Sequence, residues 1–177
     1  MDSARETKRR LAALTCAAVC LALCLTLPLL TMQLRSFGRM LAPMHFPVLL
    51  AGFLCGPWWA GAVGLIAPVL RHVVFAQPPV PNCYAMALEM ATYGVVTGLL
   101  HRAASKRTAV SLLAAMLAGR AVFGLAMALV TGGTYTWKAF VAAAFLDAWP
   151  GMLLQLALIP ALLAALRRAG VTGLQKT

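Results

Sequence analysis

Pro43-Met-His-Phe-Pro-Val-Leu-Leu-Ala-Gly-Phe-Leu-Cys-Gly-Pro-Trp-Trp-Ala-Gly-Ala-Val-Gly-Leu-Ile-Ala-Pro-Val-Leu-Arg-His-Val-Val-Phe-Ala-Gln77 is apolar almost throughout, yet Pro47, Gly52, Gly56, Pro57, Gly61, Gly64 and Pro68 punctuate it. A plain anchoring helix needs no such punctuation. Gly52 and Gly56 stand four apart, as do Ala60 and Gly64, and small residues at that spacing let helix backbones approach closely inside lipid. Proline suits the first turn of a helix and breaks an interior, so Gly56-Pro57 predicts the end of one helix and the start of the next. The stretch reads as a short helix, a tight cytoplasmic turn and a second helix that carries Arg71 and His72 before its apolar run has ended.

The rest of the chain has the same character. Of its 177 residues, 62% are hydrophobic and 11% charged, far more apolar surface than a soluble core of this length can hide. Runs long enough to cross about 30 Å of hydrocarbon recur at approximately 11–32, 57–76, 83–101, 109–130 and 139–166, with a shorter one at 46–56. The expected organisation is a basic cytoplasmic N-terminus (1–10), a membrane domain (11–168) and a cytoplasmic tail (169–177), an all-α membrane protein without a soluble module. The first run is too long for the core of a secretory signal, so it is expected to remain as a span.

The net charge of +11 is not a nucleic-acid footprint, because the basic residues sit at helix ends. With six crossings and the N-terminus inside, Arg5, Lys8, Arg9, Arg10, Arg102, Lys106, Arg107, Arg167, Arg168 and Lys176 are cytoplasmic, against Arg35, Arg39 and Lys138 outside. That asymmetry obeys the positive-inside rule and supports the six-crossing count in a cell membrane, both termini cytoplasmic. If 46–56 failed to cross, six basic residues would move outside.

Chemistry-bearing residues are few. On the fourth span, Asn82, Met86, Glu89, Tyr93 and Thr97 fall on one helical stripe, with Glu89 about two turns below the outer surface. Arg120 lies near the middle of the fifth span, with Gly124 on the same face leaving space above the guanidinium. In the sixth, Pro150 is expected to kink the helix and free an acceptor near Asp147. Arg71, Glu89, Arg120 and Asp147 therefore lie inside spans, where each charge costs about 2.5–3.5 kcal/mol near the bilayer centre and must be compensated. Two readings stand: internal salt bridges that tie helices together, or an outward-open pocket that pairs these groups with a polar solute, with Tyr84, Tyr93, Trp137 and Trp149 available to stack a ring.

Cys16, Cys20 and Cys24 share a helix face but read as small apolar fillers, and neither a disulfide framework nor a metal site is expected. His45, His72 and His101 are too dispersed to meet around one metal. No phosphate-binding loop, His-Glu-x-x-His or Gly-x-Ser-x-Gly motif is present, so no enzymatic activity and no cofactor is expected.

Beyond these residues, the first helix rich in alanine, the segment from His45 to Gly64, Glu89-Met-Ala-Thr-Tyr-Gly94, Gly119-Arg-Ala-Val-Phe-Gly124 and Pro150-Gly-Met-Leu-Leu-Gln-Leu-Ala-Leu-Ile-Pro160 together resemble the substrate-binding S component of an energy-coupling factor (ECF) transporter, over about residues 10–168. The resemblance implies a six-helix S-component fold and high-affinity binding of a small organic micronutrient, a vitamin or vitamin precursor. It implies partners as well, a transmembrane coupling protein and two ATPase subunits, which supply the power while the loaded component topples in the bilayer. Ligand would lie under the first outer loop against the last three helices, giving Arg71, Glu89, Tyr93, Arg120, Asp147, His45, Asn82 and Gln155 as candidate binding residues. Ala13, Ala17, Ala18 and Ala22 would meet the coupling protein. Met44-His45 is internal, unlike the N-terminal Met-His pair of nickel and cobalt relatives. Two other classes remain open at this stage, a membrane scaffold of similar build and an autonomous small-solute facilitator.

Overall fold

The break at Gly56-Pro57 forms as the sequence predicts. Residues 2–31, 43–103, 108–142 and 149–170 are described by the computed structural model of the chain. They form seven α-helices: α1 (Asp2–Thr31), α2 (His45–Leu54), α3 (Pro57–Phe75), α4 (Asn82–Ala103), α5 (Thr108–Val130), α6 (Trp137–Val141) and α7 (Trp149–Arg168). No described residue lies in a strand. Gly56, at φ 91°, makes the corner between α2 and α3, a conformation that a side chain would strain, and Pro57 begins α3 where its missing N–H costs nothing.

Register follows from the close approaches. Gly64 and Gly94 leave room for backbone alone: an added Cβ at Gly64 would collide with the main chain of Met90, and one at Gly94 with that of Ala60. Gly98 meets Pro57 in the same way, so α3 runs antiparallel to α4. His45 pairs with Glu89, Gly52 abuts Gly94 and Thr97, and Phe53 meets the ring of His101, so α2 runs parallel to α4 over its C-terminal part. Arg120 reaches Glu89 while Ala126 and Met127 cluster with Ala85, which makes α5 antiparallel to α4.

Nine of the ten residues of α2 are buried, and Val48, Leu49 and Ala51 are fully enclosed. It belongs to the main hydrophobic core, which also takes in Ala17, Cys20 and Cys24 of α1, Ala60 and Val63 of α3, Met90 and Tyr93 of α4, and Leu112 and Met116 of α5. Around this core the outer faces are apolar too, with Leu30, Val73, Leu125 and Leu129 among the exposed side chains, as a surface solvated by lipid requires.

Five of the helices, α1, α3, α4, α5 and α7, are long and apolar enough to cross a membrane. The sixth crossing expected at 46–56 coincides with α2, whose ten residues rise only about 15 Å, half the hydrocarbon thickness. The basic N-terminal segment, assigned to a separate region by composition, is the exposed first part of α1 itself. The run expected at 139–166 overlaps α6 and α7; Asp147 and the carbonyl of Leu146, on which the proposed kink depends, lie outside the described residues.

Candidate functional site

Glu89 is the focus of the polar interior. It projects from α4 into the bundle with 1% of its surface exposed. Tyr93, one turn further on, donates its phenolic O–H to Glu89 Oε1 at 2.8 Å, the contact that the i, i+4 stripe places within reach. Across the interface, α5 supplies Arg120, whose Nη1 stands 3.1 Å from the same oxygen. α2 supplies His45, the first residue of the helix, with Nε2 3.6 Å from Glu89 Oε2 and its ring tilted 58° to that of Tyr93 at 5.3 Å between centroids. Three helices thus converge on one carboxylate.

Gly119 holds this geometry from behind. A Cβ there would overlap the Tyr93 ring, so the glycine beside Arg120 lets the phenol lie flat against α5 and keeps its hydroxyl on Glu89. The same economy of space closes the region one turn away. Gly124 was expected to leave an opening above the guanidinium, but the ring of Phe140 from α6 occupies that space. An apolar cleft of about 420 Å³ adjoins it, bordered by Leu125 and Ala128 of α5 and by Tyr135, Trp137 and Phe140.

The carboxylate is compensated, yet the nitrogens around it are not all used. His45 Nδ1 and Nε2 and Arg120 Nε are buried without a hydrogen-bond partner, as is Thr97 Oγ1 on the same stripe. Each such group costs about 1–3 kcal/mol in lost solvation, so a cluster of them in a natural protein calls for an explanation.

The other candidates are dispersed. Arg71 is buried, but it belongs to the seam between α1 and α3, where Nη1 donates to the Leu25 carbonyl at 3.3 Å and the guanidinium lies over Phe75. Asn82 is exposed at the start of α4, off the buried part of its stripe. Gln155 is buried on α7. Asp147 lies outside the described residues. Of the possible stacking residues, Tyr84, Trp137 and Trp149 are exposed and only Tyr93 is interior. The histidines are apart, as expected: His72 bonds the Pro78 carbonyl through Nδ1 and His101 stacks edge-on with Phe53. The alanines of α1 divide into two faces, Ala13 and Ala17 buried in the bundle and Ala18 and Ala22 exposed.

Long apolar helices around an interior cluster of paired charges and buried polar atoms without a hydrogen bond define a multi-pass membrane protein with an internal polar site. The profile of the ECF transporter substrate-specific component family matches residues 12–172, and the chain belongs to that family. It is therefore a substrate-specific subunit of an ECF transporter, a substrate-binding membrane protein rather than an enzyme, from a family that works with coupling and ATPase modules. Comparison with curated proteins and with solved structures finds no match.

Proposed function

We propose that this subunit captures a small organic micronutrient, a vitamin or vitamin precursor, at the cluster formed by Glu89, Tyr93, Arg120 and His45. The observation that carries the reading is that His45 Nδ1 and Arg120 Nε, on the two residues that flank the Glu89 carboxylate, are buried without a hydrogen-bond partner. A polar solute supplying the complementary donor or acceptor there would satisfy them. Of the other candidates, we keep the buried Gln155 as a further contact for the solute.

In the proposed orientation the N-terminal end of α4 faces outward, both termini are cytoplasmic, and α2 with its flanking residues counts as the sixth crossing. Support comes from the excess of Lys and Arg on the inner side. The loaded subunit is an ATP-driven importer's binding component that topples against a transmembrane coupling protein powered by two ATPases. Ala18 and Ala22, exposed on α1, are its contact with that protein, while Ala13 and Ala17 serve the subunit's own interior.

The Arg120–Glu89 pair itself favours a second reading, in which the cluster is only a structural tie. Mass spectrometry of solute extracted from the purified protein, followed by binding assays on His45→Ala and Glu89→Gln, separates the two. A retained micronutrient whose affinity falls at least tenfold in both variants supports the proposal; tight binding unchanged in both removes the site assignment.

A further inference from the structure

The geometry points to a soft-metal site, separate from the Glu89 cluster, formed by Cys16, Cys20 and Cys55. Cys16 and Cys20 stand one turn apart on α1, and Cys55 is the residue that caps the C-terminus of α2, so the set joins two elements far apart in sequence. Their three Sγ atoms all lie within 4.8 Å of one another. All five cysteines of the chain are free thiols. Cys24 and Cys83 use theirs to donate to the carbonyls of Met44 and Pro68, whereas Cys16, Cys20 and Cys55 turn toward each other. Cys20 and Cys55 are buried and Cys16 is half-buried, which leaves one accessible edge by which an ion can arrive.

A metal–sulfur bond of about 2.3 Å, arranged trigonally, sets the sulfurs about 4 Å apart. Closing the present triangle to that size takes less than about 1 Å of movement, within the range of a χ1 adjustment. Three sulfurs with no imidazole or carboxylate among them select a soft, thiophilic ion. Structural zinc wants a fourth donor, whereas Cu(I), a d10 ion that accepts three-coordination, does not; Cu(I) is the ion assigned here, with Ag(I) as its redox-inert substitute. Sulfurs that ligate as thiolates release their protons to water, so uptake is proton-linked but involves no change of oxidation state. An ion bound there would fasten α1 to the α2–α3 corner, and with it the exposed Ala18–Ala22 face.

The test uses the full chain in detergent, prepared reduced and without chelator, titrated with Ag(I) alone and, anaerobically, with Cu(I) against a competing chelator. One ion per chain by native mass spectrometry, a thiolate-to-metal charge-transfer band, and at least tenfold weaker binding in C16S, C20S and C55S but not in C83S are the expected results. Because a serine variant can fail to fold, maleimide labelling of the unaltered protein gives a second readout: one equivalent of Ag(I) should protect the half-buried Cys16. Unchanged affinity in the C16S/C20S/C55S variant, absence of protection, or tighter binding of Zn(II) than of Ag(I) each overturns the assignment.

Discussion

Replacing Arg120 by alanine isolates the central ion pair. In the native protein Glu89, almost fully enclosed, has Arg120 Nη1 at 3.1 Å and the Tyr93 hydroxyl at 2.8 Å on Oε1, with His45 at 3.6 Å from Oε2. Arg120→Ala leaves the carboxylate with one hydrogen bond and a distant imidazole. Breaking a buried pair from one side costs about 3–5 kcal/mol. For a chain of this size that corresponds to a fall in midpoint on the order of 10 °C, read as the temperature at which the detergent-solubilised protein leaves its monodisperse peak. Glu89→Gln in the same background removes the stranded charge and keeps the Tyr93 contact, so the double variant should recover about half or more of the loss, a coupling of at least about 1 kcal/mol. A single variant that melts within about 1 kcal/mol of the parent, or a double variant whose loss equals the sum of the two singles, would refute the inference that these side chains act as a unit.

Three further outcomes are expected. Gly119→Ala should displace the Tyr93 ring it touches and destabilise by about 1–3 kcal/mol, measured in the same melting assay. Tyr93→Phe keeps the ring against Gly119 and removes only a charge-assisted hydrogen bond, so its loss should be about 1.5–3 kcal/mol, smaller than that of Arg120→Ala. Ala22→Trp, on the exposed face of α1, should fold with unchanged melting yet fail to co-purify with the coupling protein, whereas Ala17→Trp, in the core, should fail to fold at all.

Hydropathy made the class and most helix limits readable, because a run of apolar residues long enough for the bilayer has few other uses. Gly56-Pro57 marked its corner for the same reason that it forms one: a positive φ followed by a residue without an N–H. The Glu89–Tyr93 contact was readable as well, since i, i+4 is a property of one helix. Which partner answers Glu89 was not. Arg71 and Arg120 are equal candidates in sequence, and the choice depends on antiparallel register between α4 and α5, visible in contacts such as Gly119 against the Tyr93 ring that leave no mark in periodicity. Phe140 over Gly124, the split of the α1 alanines into two faces, and the arrival of Cys55 beside Cys16 and Cys20 are likewise facts about neighbouring helices. A glycine in a span signals that something comes close without saying what.

The half-length of α2 has a mechanical corollary. Its first residue, His45, stands level with Glu89, seven residues and so about 10 Å into α4, and everything beneath it is filled by side chains such as Val48 and Leu49. The helix is a stopper driven halfway up a tube: a guest settling on its tip meets a floor at mid-depth, not a conduit. For the binding site proposed above, such a floor would leave a solute no straight path through the subunit, so release on the other side would need a movement of the helices or of the whole subunit.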